Sequence, residues 1–411
     1  MSSERRSPKL TSPSDVTKNK ILALIAYTAR VVALTCASGP LMQTFLASLG
    51  FDSGQIYVHS SILQAANVLT ILVFSEWVSN KNPIKRSAFA LLPTGFLFLT
   101  YIPIAIAKSA TIFTYVLLCI ISAFQQISVG LFTVCEYKTP YYVYKRSEYG
   151  MMLSICGIVS SLLSLASGAV ISYYTARIPF TRVMAIAFGF SSIFILISVL
   201  SIFLEKSLIS ESEEGDRSEE KRASIVLLMR LPIFRGLITA NIMRGFAAGV
   251  IGVLATIALD LGHGESLTSA MVSAQSLASL IACGIFALLA KKVSHAAFLL
   301  AGGALICLLP LLSISGSTGY LLIYTLILFG RTLIDYSVPS LLIHSIPTSI
   351  AGPYHAWRMV LQNAGTLLAT MLAARIPIPI LLLISTVFGA VSCIAFYIYT
   401  KKCKLSDENP E

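Results

Sequence analysis

Long apolar runs alternate with short polar intervals along almost the whole chain. Each run has about 20 residues, enough for a helix rising 1.5 Å per residue to cross a hydrocarbon layer about 30 Å thick. Lipid offers the backbone no hydrogen-bond partner, so each run is predicted to be a helix. The twelve predicted spans are 21–45, 56–79, 87–107, 111–135, 149–174, 181–204, 232–258, 266–290, 295–314, 319–343, 355–375 and 378–400.

A charged, serine-rich interval divides these spans six by six. Its mixed acidic and basic residues are typical of a solvated linker. The predicted fold class is therefore an all-α integral membrane protein with twelve transmembrane helices in two six-helix bundles. The predicted parts are an N-terminal tail (1–20), a first bundle (21–204), the linker (205–231), a second bundle (232–400) and a C-terminal tail (401–411).

Composition supports a membrane location. Apolar residues make up 56% of the chain and charged residues only 12%, and the mean hydropathy is +0.80. A soluble protein carries about a quarter charged residues. Of the 30 Lys and Arg residues, 22 fall on the side that holds both chain ends and 4 on the other. This positive-inside bias predicts cytoplasmic ends in a plasma or bacterial inner membrane, and it explains the net charge of +11 without a nucleic-acid partner.

Two arginines lie near the middle of predicted spans. Arg30 is in span one and Arg244 in span seven, where a charged side chain costs at least about 2.5–3.5 kcal/mol. Span ten adds Arg331 and Asp335, spaced i, i+4, which allows them to neutralise each other. Pairing of Arg30 or Arg244 with Asp335 or Glu136 is the structural alternative to a functional role.

The halves share weak internal similarity. Arg30 and Arg244 are offset by 214 residues, and the pairs Leu49-Gly50 and Leu261-Gly262 by 212. Each Leu-Gly pair is predicted to end the first span of its half. A further match, of Glu136-Tyr137 with Asp335-Tyr336, needs an offset of 199, and we attribute it to chance.

With six plus six spans, a charged central loop and both ends inside, the chain resembles the major facilitator superfamily of secondary transporters. The stretch from Leu49 to Ile56 looks like the first external turn of that family, whereas the Gly-Pro signature of its drug antiporters is absent from span five. The resemblance implies alternating access, with spans one, four, seven and ten lining a central cavity. Because no Gly-x-x-x-x-Gly-Lys loop occurs, we expect transport to be driven by a gradient rather than by ATP.

Intramembrane polar residues cluster on the implied cavity helices. If three arginines and Asp335 converge, their formal sum of +2 favours a dianion, and guanidinium groups suit carboxylate or phosphate oxygens. The first hypothesis is therefore a carrier of a small organic anion, such as a phosphate ester or carboxylate. The predicted substrate-binding residues are Arg30, Arg244, Arg331, Tyr27, Gln125, Gln126, Asn241, Gln362 and Asn363, with Asp335 for proton coupling and Glu76, Glu136 and Arg358 for gating.

Two alternatives remain open. The first is a proton-coupled symporter of a neutral solute (sugar, peptide or nucleoside), in which the arginines serve structure and the two glutamines join helices. The second is a membrane sensor that transports nothing. We expect no enzymatic activity, cofactor or metal site, because the sequence shows no catalytic set and no cysteine or histidine framework. The chain is expected to act as a monomer.

Overall fold

The structure is a computed structural model that describes residues 13–37, 39–74, 83–136, 139, 143, 146–207, 232–289, 292–343 and 348–407. Within these ranges the regular structure is entirely helical. The helices of the first half are α1 (Pro13–Ala37), α2 (Gly39–Ser48), α3 (Ser53–Phe74), α4 (Pro83–Ala107), α5 (Ile112–Glu136), α6 (Arg146–Thr175) and α7 (Phe180–Leu204).

The second half repeats this organisation. Its helices are α8 (Pro232–Gly252), α9 (Leu254–Asp260), α10 (Glu265–Leu289), α11 (His295–Ile306), α12 (Ser317–Ile343), α13 (Thr348–Ala373) and α14 (Ile378–Asp407), with a 3-10 helix at Leu309–Ile314 after α11. Each of the twelve predicted spans therefore contains helix. In the described part of the chain, ten helices are long and apolar enough to cross a membrane, or eleven when one bent pair is included. The predicted all-α membrane architecture is confirmed.

Breaks within three spans were not predicted. Gly39 begins α2 with a φ of +63°, and the following Pro40 has no N–H to donate, so the first span is interrupted there. In the seventh span, α8 and α9 meet at Val253 with a bend of 50°. In the ninth, α11 gives way to the 3-10 helix near Pro310.

The two largest apolar clusters lie in different halves. One consists of buried residues between 26 and 202, together with Val272 from the second half. The other consists of residues between 234 and 396, joined by Tyr57. The halves pack on each other through α3 with α13, α6 with α10, and α2 with both α9 and α10. The linker bounds stay a prediction, because residues 208–231 lie outside the described ranges.

The first span of each half ends in the same turn. Gly50 and Gly262 have φ angles of +97° and +84°, which glycine adopts without a Cβ clash. The next residue in each turn, Phe51 or His263, donates its N–H to the carbonyl five positions earlier. These are matching Schellman motifs, so the predicted equivalence of the two Leu-Gly pairs is confirmed. We call the side of the molecule that carries these two turns the turn face, which the sequence predicts to be external.

Candidate functional site

The buried arginine of the first half is paired within that half. Arg30 is 8% exposed on α1 and donates from Nη2 to Oε1 of Glu136, the last residue of α5. Two rings cover its guanidinium, with centroids 5.2 Å (Tyr27) and 4.3 Å (Phe132) from the central carbon. A carboxylate and two aromatic faces together stabilise the charge inside the bundle.

The second half contains an equivalent pair. Arg244 on α8 is also 8% exposed, and its Nη2 donates to Oδ1 of Asp335 on α12 at 2.5 Å. Arg331 Nε lies 3.6 Å from the other carboxylate oxygen of Asp335. In both halves, therefore, an arginine of the first span binds a carboxylate of the fourth span.

This pairing confirms the structural alternative drawn from the sequence, in which Arg30 and Arg244 pair with Glu136 or Asp335. Arg30 and Arg244 do not converge with Asp335 alone, because Arg30 has its own carboxylate. Three guanidinium groups face two carboxylates, a formal excess of one positive charge rather than two. Glu136 and Asp335 each bind the first-span arginine of their own half, although Glu136 is the last residue of α5 and Asp335 lies within α12.

Of the two predicted glutamines, Gln125 belongs to a buried network. Its Oε1 accepts a hydrogen bond from Tyr101 OH at 3.0 Å, and that hydroxyl also bonds to Ser122 Oγ at 2.7 Å. Ser122 in turn contacts His59 Nε2 at 2.9 Å. The network joins α3, α4 and α5 inside the first half, which supports a role of Gln125 in helix packing.

Gln126 and the predicted Asn363 are brought together by a residue that sequence reasoning missed. The side-chain oxygen of Asn67, on α3, accepts a hydrogen bond from Asn363 Nδ2 at 2.9 Å. The side-chain nitrogen of Asn67 donates to Gln126 Oε1 at 3.5 Å. All three side chains are partly exposed between the halves. The signal that predicted Gln126, a polar side chain inside an apolar span, was equally present at the amide of Asn67 and the imidazole of His59.

The other predicted residues differ in their surroundings. Asn241 is 2% exposed on α8, and Arg358 is 5% exposed on α13. Gln362 is partly exposed on α13, where its backbone carbonyl lies against Gly245. The predicted gating residue Glu76 lies outside the described residues.

Contacts that close the molecule come from residues outside the predicted gating set. Gln43 on α2 donates to the Gly252 carbonyl at 2.6 Å and accepts from Thr256 N at 3.1 Å and Oγ1 at 3.0 Å. Asp260 on α9 accepts from Tyr57 OH at 2.8 Å and from Ser53. These bonds join the two halves near the turn face, so that side is closed in this structure.

One carboxyl group beyond the spans is electrostatically unusual. Burial raises the pKa of Glu205 to about 8, although Arg30 pulls it down, and Glu136 adds to the rise. The next residue, Lys206, is bonded to α1 through its backbone. Asn19 Nδ2 donates to the Lys206 carbonyl at 2.7 Å, and the Lys206 N–H donates to Asn19 Oδ1 at 3.0 Å. These bonds hold the segment that contains Glu205 against α1, on the side opposite the turn face.

Comparisons with known proteins agree with this architecture. The sequence profile described as Major Facilitator Superfamily matches residues 21–370, and no curated protein matches the chain. Among solved structures, a D-xylose-proton symporter aligns with a TM-score of 0.65 at 12% identity, over 93% of this chain and 96% of that chain.

Two E. coli structures are similar in the same way. The fucose:proton symporter gives a TM-score of 0.64 at 15% identity, over 93% of this chain and 98% of that chain. The xylose transporter, in a partially occluded inward open conformation, gives a TM-score of 0.67 at 13% identity. That alignment covers 93% of this chain and 97% of that chain. At these identities the similarity is one of fold.

Proposed function

This chain belongs to the major facilitator superfamily, and on that premise we propose that it is a proton-coupled symporter of a neutral polar solute. Its two halves would expose a central site to each side of the membrane in turn. The organic-anion hypothesis is the less favoured candidate.

The observation that carries this choice is the pairing of Arg30 with Glu136 and of Arg244 with Asp335. An anion held between the two arginines would have to displace a carboxylate from each, and a guanidinium group already paired offers an incoming anion little net charge. A neutral solute leaves both pairs intact. The amides of Gln126, Asn67 and Asn363, which meet between the halves, suit hydrogen bonding to such a solute.

The structural neighbours support the same choice. The D-xylose and fucose proteins are named as proton symporters, and both share the fold over more than nine-tenths of this chain. Their solutes are neutral and rich in hydroxyl groups.

We propose that Asp335 couples proton binding to transport, a role that its exposure supports. Its side chain is 43% exposed, while that of its partner Arg244 is 9% exposed, so the carboxylate is the more accessible member of the pair. Protonation of Asp335 would weaken its bonds to Arg244 and Arg331 and loosen α12 from α8. Solute binding that depends on this arrangement would then be linked to proton binding. We also propose cytoplasmic chain ends, a plasma or bacterial inner membrane and a monomeric carrier.

Solute counterflow tests the proposal. Vesicles containing the purified protein are loaded with unlabelled D-xylose or L-fucose, and entry of the radiolabelled sugar is followed. Parallel vesicles receive D-xylonate, L-fuconate or a sugar phosphate. We expect counterflow of a neutral sugar and none of the acids. Counterflow of the acids alone would instead support the anion carrier, and no counterflow of any solute would favour the sensor.

A further inference from the structure

Two polar atoms of α8 lack partners. Asn241 Oδ1 and Arg244 Nη1 are both inaccessible to solvent, and neither has a hydrogen bond to any residue that the structure describes. Their residues are 2% and 8% exposed. The spacing of i, i+3 places them on one face of the helix. Leaving a buried donor and a buried acceptor unsatisfied is unfavourable, so the arrangement calls for an explanation.

The remaining bonds of these side chains fix which atoms are open. Asn241 Nδ2 donates to the Leu237 carbonyl at 2.7 Å. A carbonyl can only accept, so the opposite amide orientation would lose this bond and the oxygen must be the open end. Arg244 uses Nη2 for Asp335, which leaves Nη1. The open pair therefore consists of one acceptor and one charged donor.

The equivalent face of α1 has no such pair. Tyr27 and Arg30 occupy the same i, i+3 spacing there, but Tyr27 covers the guanidinium with its ring, 5.2 Å away. Phe132 and Glu136 complete the surroundings of Arg30. Each half has such an ion pair, but among the described residues only Asn241 and Arg244 combine this spacing with solvent-inaccessible polar atoms that lack a hydrogen bond.

We propose that Asn241 and Arg244 form a hydroxyl-binding site for the solute. A hydroxyl group donates to Asn241 Oδ1 and accepts from Arg244 Nη1, so one group satisfies both atoms. An ionised carboxylate or phosphate can only accept, and would meet the Asn241 oxygen as a second acceptor. This inference rests on the proposed function and deepens it, because it assigns a polyhydroxylated neutral solute and makes Asn241 a specificity-determining residue.

Access to the site requires a conformational change. Both atoms are covered in this structure, whose turn face is held closed by Gln43 and Asp260. Alternating access supplies the needed movement, since it rearranges the helices around the midplane site. The solute hydroxyl would occupy the pair when the surrounding helices part, and the unsatisfied groups of the closed form would favour that binding.

The experiment compares Asn241→Ala with wild type and with Thr386→Ala. The last is a fold control, because within the described part of the chain the Thr386 hydroxyl bonds to the Leu382 carbonyl of its own helix. Dissociation constants for D-xylose, L-fucose, D-xylonate and L-fuconate come from thermal-shift titrations of the full-length protein. We expect Asn241→Ala to weaken binding of the neutral sugar at least about tenfold, equivalent to about 1.4 kcal/mol. We also expect Asn241→Ala to improve binding of the matching acid relative to the sugar. Thr386→Ala should bind both the sugar and the acid with the same dissociation constants as wild type.

A second variant, Asn241→Ser, keeps a side-chain oxygen and should fall between wild type and Asn241→Ala. It keeps the test decisive if the alanine variant does not fold. Neutral-sugar binding that is equally strong in the wild type and in either folded Asn241 variant would overturn the hydroxyl site while leaving the proposed function intact. A wild type that binds only the acids, or none of the four probes, would instead contradict the proposed function and the inference together.

Discussion

Gln43 of the first half hydrogen-bonds to the backbone of Gly252 in the second, with 2.6 Å between its amide nitrogen and the carbonyl oxygen. The acceptor lies at the break between α8 and α9, where the helix bends by 50°. The other end of the same amide accepts from Thr256. Gln43 is 5% exposed, so its bonds are shielded from water and hold the turn face closed.

We expect Gln43→Leu to open the turn face. Loss of three bonds leaves buried partners unsatisfied at about 1–3 kcal/mol each, and about 1.4 kcal/mol already corresponds to tenfold in a conformational equilibrium. The readout is labelling of Ala258→Cys, a position fully buried on α9, by a membrane-impermeant maleimide. The rate should rise at least about tenfold. Ser48→Ala, which removes a bond within α2 only, should leave it unchanged, and an equal rate in Gln43→Leu would contradict the closure.

Glu136→Gln tests the ion pair of the first half. Removing one partner of a buried pair leaves an uncompensated charge, which costs about 3–5 kcal/mol when both groups are fully buried. Glu136 is 38% exposed, so we expect a smaller loss of about 1–3 kcal/mol. A double-mutant cycle with Arg30→Gln, read as unfolding free energy in detergent, should show strong coupling. Additive losses would mean that the pair contributes no stability.

Glu205→Gln tests the raised pKa of that carboxyl. In the unfolded chain the group loses its proton near its ordinary pKa, whereas the folded protein holds it up to about pH 8. Between these values the folded state binds more protons, so stability falls as pH rises through this window. Melting temperatures measured from pH 5 to pH 9 should show a flatter profile in the variant and higher stability than wild type above pH 8. Parallel profiles would show that Glu205 titrates normally.

Gly245→Ala tests the close packing of α8 on α13. A Cβ at Gly245 would lie 1.8 Å from the Gln362 carbonyl oxygen, whereas one at Gly252 meets nothing within 4 Å. The first change forces two backbones apart, so we expect a loss of at least about 1–3 kcal/mol. Gly252→Ala is the control on the same helix and should melt like wild type. Equal melting temperatures for the two variants would refute the close approach.

The spans were predictable because each is a local property of the chain. An apolar run such as 378–400 is long enough to cross the bilayer whatever its neighbours are, and helix occupies it here. The Leu49-Gly50 and Leu261-Gly262 turns were predictable for the same reason, since a left-handed glycine cap is encoded within a few residues.

The choice of partner between helices was not predictable in this way, although Glu136 and Asp335 were both named as candidates for the arginines. Arg30 and Glu136 are 106 positions apart, and Gln43 and Gly252 are 209 apart. Which carboxylate an arginine meets depends on how each helix is rotated and packed, and hydropathy within one span carries no such information. The Gly39-Pro40 pair in the sequence could have predicted the break between α1 and α2. It was not used because it lies within a continuous apolar run.

Coupled movement of a neutral solute and a proton is the central proposal for this carrier. Its most direct test uses vesicles that contain the purified protein in their membrane and a pH-sensitive dye trapped inside. The internal pH is measured after D-xylose or L-fucose is added outside. We expect the interior of wild-type vesicles to acidify, and Asp335→Asn to abolish this acidification while sugar counterflow continues. Sugar entry without any change of internal pH, or acidification driven only by the sugar acids, would contradict the account.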